Sequence, residues 1–164
     1  MTARVFGKNH LRREDPRLLT GQALFVDDVH LEGMLHVAFV RSDYAHARIR
    51  SVDVSGALEV EGVVAAYTAA DLGDYWQPGP LLVSPPPTIE NLTFREATQV
   101  PLAKDKVLHV GEPIAAIVAT SRYVAEDELV RVRLDIEPLG AVVDLDAALE
   151  PDAPVIHEQF DSNE

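Results

Sequence analysis

Cysteine is missing from this 164-residue sequence. Its absence excludes disulfides, thiolate metal ligands, iron–sulfur ligation by this chain and a cysteine nucleophile, and leaves the redox compartment open. No apolar stretch approaches the ~20 residues needed to cross a bilayer. No apolar run follows the basic start, so a signal peptide is not expected. Neither the P-loop lysine pattern nor G-x-G-x-x-G occurs, and the nine glycines stand singly, mostly at turns, which argues against a nucleotide site of either type. There is no G-x-S-x-G nucleophile turn, so an independent hydrolase is not expected. Basic residues are scarce as well. Fourteen Lys and Arg face 27 Asp and Glu, for a net charge of −13, which repels phosphate backbones and anionic lipid and argues against nucleic-acid binding.

What is present describes one globular domain with an arm. Apolar residues make up 47% and charged residues 25% of the chain, normal for a folded protein and wrong for a disordered one. A chain of this length buries roughly 70% of the surface it exposes when unfolded. The charge is lopsided: residues 1–50 hold 8 basic and 6 acidic side chains, residues 51–164 hold 6 and 21. Arg12, Arg13 and Arg17, then Arg41, Arg48 and Arg50, concentrate the basic share, so an anionic contact should involve the N-terminal third.

Periodicity and punctuation predict the elements. Asp15 to Gly21 reads as one helical turn, with Pro16 early and Gly21 past the end. Phe25-Val26 before Asp27-Asp28 reads as a strand entering a turn. Met34 to Val40 is an apolar run of strand length, expected to be buried on both faces. Ala47 to Val54 alternates, with a break near Ser51 that suits a bulge. Ser55 to Glu61 is a short helix capped by Ser55, Val63 to Tyr67 a strand, and Thr68 to Leu72 a helical turn stopped by Gly73. Pro78, Pro80, Pro85, Pro86 and Pro87 then forbid a helix or a central strand, so 74–100 is read as a long excursion. Strands are expected at Lys106 to Val110 and Ile114 to Thr120 around the Gly111-Glu112-Pro113 turn. A helix capped by Ser121 follows, and then an alternating strand from Val130 to Ile136 that ends at Pro138. A short helical turn is expected at Asp146 to Glu150. The pattern is α+β with more strand than helix.

Site chemistry is thin. His157-Glu158 starts like a zinc-protease helix, but position 161 is Asp, so the second histidine is missing and a tail pair is the reading. His36 and His46 read as structural histidines, and Asp27-Asp28, Glu126-Asp127 and Asp144/Asp146 as caps and solubilising carboxylates. Tyr44, flanked by Asp43 and followed by Ala45-His46-Ala47-Arg48, is the most pointed polar-aromatic cluster. It sits between two strands, where it either orders the connection or touches another chain. The residues offer a stable acidic domain without a self-sufficient active site.

Several motifs recur here together and in order: Arg13-Glu14-Asp15-Pro16-Arg17-Leu18-Leu19-Thr20-Gly21; Gly33-Met34-Leu35-His36-Val37-Ala38-Phe39-Val40-Arg41-Ser42 with Ala45-His46-Ala47-Arg48-Ile49; and Val110-Gly111-Glu112-Pro113-Ile114-Ala115-Ala116-Ile117-Val118-Ala119. Ser121-Arg122-Tyr123-Val124-Ala125-Glu126-Asp127, Glu137-Pro138-Leu139 and Ile156-His157-Glu158 follow. Across residues 12–160 the sequence resembles the N-terminal α/β hammerhead domain of the molybdopterin-binding large subunit in the xanthine dehydrogenase/aldehyde oxidase/carbon monoxide dehydrogenase family. The resemblance implies an oxidoreductase of the molybdenum hydroxylase type. In such enzymes a molybdenum–pterin centre hydroxylates an aldehyde or N-heterocycle with water, or oxidises carbon monoxide, and electrons leave through [2Fe–2S] clusters to FAD. The cofactor carries the redox chemistry and the protein supplies orientation and electrostatics.

The resemblance also implies what should lie elsewhere. The pterin-holding loops and the catalytic glutamate belong to later portions of the large subunit, so no catalytic, cofactor-binding or metal-binding residue is assigned to this chain. It is expected to be the hammerhead portion or a split subunit, structural and inactive alone. Its partners would be the pterin-binding remainder of the large subunit, an FAD-binding medium subunit and an iron–sulfur small subunit, in the cytoplasm. The alternative is a non-catalytic binding module that keeps the hammerhead fold. The expected division is an arm at 1–20, the hammerhead at 21–140 and a tail at 141–164 leading toward the pterin-binding domains. Arg41, Tyr44, His46 and Arg48, with Gly111, Glu112 and Pro113, are the expected interface residues.

Overall fold

A computed structural model describes residues 7–79 and 99–163. The chain divides into two compact units, Met1–Met34 and Leu35–Glu164. Most of the Pro-rich excursion expected at 74–100 lies outside the described residues.

The first unit holds α1 (Asp15–Leu19), with Pro16 in its first turn, where a missing N–H costs nothing. Thr20 Oγ1 donates to Pro16 O at 2.6 Å, and Gly21 leaves the helix at φ +69°. Phe25-Val26 is not a strand. Val26–Asp28 forms a 3₁₀ turn, because the Asp28 carboxylate accepts from Phe25 N at 2.9 Å and draws the chain round. No residue of either turn is buried.

The second unit is built on two three-stranded antiparallel sheets. The first contains β1 (His36–Arg41), β3 (Val63–Thr68) and β5 (Pro113–Ala119), in the order β1–β5–β3. The second contains β2 (Ala47–Asp53), β4 (Lys106–Val107) and β6 (Arg133–Pro138), in the order β4–β2–β6. The β2–β6 register slips between Ile49 and Ser51, at the break seen in the alternation. Two short helices, α2 (Ser55–Leu58) and α3 (Arg122–Asp127), complete the unit, and the α+β class holds.

β5 is the hub. Ile114 and Ile117 are fully buried in it. Ile114 packs with Ala47, Ala103 and Val107, and with Leu134 and Ile136 of β6, so the first sheet plugs into the core of the second. On the opposite side Ala38 and Ala119 meet Ala125 of α3, backed by Val124 and Leu129. Ser121 Oγ accepts from Val124 N at 3.2 Å, the expected cap of α3. At α2 the carboxylate of Asp53, two residues earlier, accepts from both Ser55 N and Ser55 Oγ, so Asp53 rather than Ser55 takes the orphan N–H at the helix start. Gly62, at φ +95°, packs on Thr120 and Val124, and its carbonyl accepts from Thr120 N. A side chain there would need both a left-handed backbone and space that Thr120 Oγ1 occupies.

Three strands differ from expectation, each for a local reason. β1 is buried on one face only: Val37 and Phe39 point outward, because α3 covers just the Ala38 side. β4 stops at Val107 because the Glu112 carboxylate takes Leu108 N, at 2.5 Å, out of the ladder. Val130 belongs to a 3₁₀ turn, Glu128–Arg131, that prolongs α3 and holds Arg131 against Glu128, so β6 begins only at Arg133. Among the described residues no helix is long and apolar enough to cross a membrane.

Candidate functional site

The two segments expected at an interface, 41–48 and 111–113, are brought together where β1 hands over to β2 and where β5 begins. Ser42, almost fully buried, donates from its backbone N to Glu112 O at 2.9 Å and accepts from Gly111 N at 2.8 Å. Arg41 Nη1 donates to Gly111 O at 2.8 Å. Gly111 sits at φ +84° with open space where a Cβ would be, so backbone conformation rather than crowding calls for glycine. Ser42 Oγ donates to Tyr44 O and accepts from Tyr44 N, a tight polar turn that presents the Tyr44 ring half exposed. Arg41, Tyr44 and Arg48 reach the surface, and Gly111 and Pro113 are half-buried.

His46 and Glu112 lie deeper. His46, 5% exposed, donates from Nδ1 to Gly140 O at 2.6 Å, and its carbonyl accepts from Leu139 N at 2.9 Å. That pair fastens the chain leaving β6 beneath the 41–48 connection. A carbonyl can only accept, so Nδ1 carries a proton, while Nε2 is buried with no hydrogen-bond partner. Glu112, also 5% exposed, closes the 108–112 turn through Leu108 N, with His109 Nδ1 at 3.8 Å. Both side chains hold the strand connections in shape, with Arg41, Tyr44 and Arg48 exposed beside them.

Sequence reasoning missed the third wall. Lys106 Nζ, on a side chain only 13% exposed, pairs with Glu158 Oε1, tying the 156–159 segment to β4. The Lys106 hydrogen bond and charge hold the Glu158 carboxyl below the usual carboxylate range, with Arg48 and His46 adding to the pull. Between these elements runs a groove of about 310 Å³, lined among others by Trp76, Lys104, Lys106, Glu112, His157 and Glu158. Trp76 Nε1 donates to Leu102 O at 2.7 Å, and Lys104 Nζ lies 5.5 Å from the Trp76 ring centroid. The Ile156-His157-Glu158 motif was a usable signal for this wall, but a lone lysine such as Lys106 announces nothing in sequence.

These residues do not form a cradle for a metal–pterin group. Among the described residues no three His, Asp or Glu side chains converge, and the one buried nitrogen without a partner, His46 Nε2, belongs to a residue that does not line the groove.

Fold and site together define an α+β module whose distinctive polar residues clamp strand connections and present a surface. The comparisons place it. Residues 20–140 match the family described as aldehyde oxidase and xanthine dehydrogenase, a/b hammerhead domain, and the chain belongs to that family. It is 44% identical over 154 residues to the carbon monoxide dehydrogenase large chain of Afipia carboxidovorans, covering 94% of this chain and 18% of that one. It is 42% identical over 145 residues to the nicotine 6-hydroxylase large subunit of Paenarthrobacter nicotinovorans, covering 88% and 17%. The crystal structure of quinoline 2-oxidoreductase from Pseudomonas putida 86 superposes with a TM-score of 0.82 at 39% identity, over 96% of this chain and 19% of that chain. The protein thus spans about a fifth of the length of these relatives.

Proposed function

We propose that this chain serves as the hammerhead portion of a molybdenum hydroxylase-type large subunit, acting in structure and assembly while the redox chemistry takes place on polypeptide outside it. The coverage carries the reading: nearly all of this chain aligns at 44% identity with less than a fifth of a carbon monoxide dehydrogenase large chain. The assembled enzyme is read as using a molybdenum–pterin centre for an aldehyde-, xanthine- or carbon monoxide dehydrogenase-like reaction, with [2Fe–2S] clusters and FAD on companion subunits in the cytoplasm. Residues 1–20 serve as an arm, 21–140 as the hammerhead, and 141–164 lead toward the pterin-binding domains. Arg41, Tyr44 and Arg48 contact the neighbouring polypeptide from the junction, with Gly111 and Pro113 beside them, while His46 and Glu112 keep that surface in shape.

The test is purification from the native cells, with molybdenum assayed by mass spectrometry and every co-purifying polypeptide identified. The expected result is molybdenum in stoichiometric amount, carried with a pterin-binding polypeptide, joined or separate. A metal-free 18-kDa monomer would refute the reading and favour a free-standing binding module instead.

A further inference from the structure

We infer that the exposed apolar part of the β1–β5–β3 sheet, around Val37, Phe39 and Tyr67, is the surface on which the pterin-binding remainder of the large subunit docks. This rests on the proposed function and adds where the two parts meet. Residues paired directly across antiparallel strands point to the same face. The register therefore lays out two rows, Val37–Val118–Ala65 and Phe39–Ala116–Tyr67. All six residues are apolar or aromatic, and Val37, Phe39 and Tyr67 are 52%, 40% and 43% exposed.

A sheet with one wetted face should alternate apolar with polar, yet these rows carry no charge. The opposite face, with Ala38 and Ala119, is already covered by α3. Ala116, central in the second row, is buried with Ala69 and Leu102 and backed by Leu72 and Trp76, so the open apolar part of the face is Val37, Phe39 and Tyr67, with Val118 and Ala65 half-buried. Arg41 closes one end, with its guanidinium 5.5 Å from the Phe39 ring centroid and its Nη1 on Gly111 O, so the face continues into the junction described above. A contiguous apolar patch of this kind marks an interaction site rather than ordinary surface.

Two observations choose the occupant. Residues 35–164 contain 9 basic and 22 acidic side chains, so two copies brought face to face would repel, and an apolar centre on an acidic body suits a partner with a basic rim. In the relatives, more than four-fifths of the large chain lies outside the aligned region, which supplies polypeptide to cover the sheet.

The experiment places the photoreactive residue p-benzoylphenylalanine at position 39, 67 or 123 in the assembly purified from native cells, with cross-linked peptides mapped by mass spectrometry. Tyr123, 80% exposed on α3, is the control. Positions 39 and 67 are expected to cross-link to the molybdenum-carrying polypeptide outside residues 1–164, and position 123 not to. Phe39→Asp should cut the molybdenum recovered with the tagged chain about tenfold or more, as for loss of an aromatic anchor, while Tyr123→Asp leaves it unchanged. Should Phe39→Asp prevent folding, the cross-links decide alone. Cross-links from 39 and 67 to a second copy, or none above the yield at 123, overturn the docking surface. A purified assembly with no molybdenum-carrying polypeptide overturns the proposed function itself.

Discussion

Ile114→Ala is the sharpest test of how this domain holds together. Ile114 is fully buried at the start of β5, a strand of the first sheet, but its neighbours Ala47, Val107, Leu134 and Ile136 lie in the second. Truncation removes three carbons, roughly 2.4 kcal/mol at ~0.8 kcal/mol per buried methylene. The cavity adds to that, because Ala47 and Val107 are fixed by the β2–β4 ladder and cannot relax inward. The expected total is about 3–4 kcal/mol, within the usual range for such a change. For a chain of this size it would lower Tm by about 10 °C. The assay is urea unfolding followed by far-UV circular dichroism, with Ile114→Val as a graded control costing about 1 kcal/mol. A double-mutant cycle with Leu134→Ala should return a coupling of at least ~0.5 kcal/mol, since the two side chains share one core. A loss under about 1 kcal/mol, or strict additivity, would show that the sheets do not share that core and would sink the argument.

Ser121→Ala removes the side-chain acceptor of Val124 N and should cost about 1 kcal/mol, read from the same urea curves. Gly62→Ala should cost more than 1 kcal/mol, because φ +95° strains any L side chain and the new Cβ would sit 3.2 Å from Thr120 Oγ1; thermal melts against the wild type check it. Asp71 caps the turn that follows β3, accepting from Thr68 Oγ1 and Thr68 N at 2.7 Å, and these bonds hold its carboxyl below the usual range. The folded state therefore binds this proton less readily than the unfolded chain. Its contribution is complete above the ordinary carboxylate pKa and declines as pH falls through the lowered folded value. In Asp71→Asn that part of the acid-side decline, which lies below the ordinary carboxylate pKa, should vanish from a stability–pH profile, and an unchanged profile would count against the cap.

Much of the domain was legible because its signals are local. Alternation along 47–54, with the break at Ser51, reports a strand whose faces differ in burial, and the bulge follows from the same residues. Ser121 before an apolar-periodic stretch, and glycine at 62 and 111, are choices that backbone geometry imposes within a few residues. The misreadings come from partners distant in the fold or from capture of a backbone group. An apolar run such as 34–40 looks the same whether one face is covered or two; only the packing of α3 leaves Val37 and Phe39 outside. Leu108 has strand-like neighbours, yet Glu112 takes its N–H and ends β4.

Composition and periodicity determined by themselves that this is a cysteine-free, acidic α+β domain, because those properties are carried by residue identity and short-range spacing, while the hammerhead kind was implied by the motifs' resemblance to a family. The clamp between residues 41–42 and 111–112, the burial of His46 and Glu112, and the Lys106–Glu158 tie were decided only by the tertiary structure. The clamp, the His46–Gly140 bond and the Lys106–Glu158 tie each join residues tens of positions apart. Whether such a side chain faces solvent, a partner or the core depends on which surfaces the completed sheets bring together, and no local pattern encodes that.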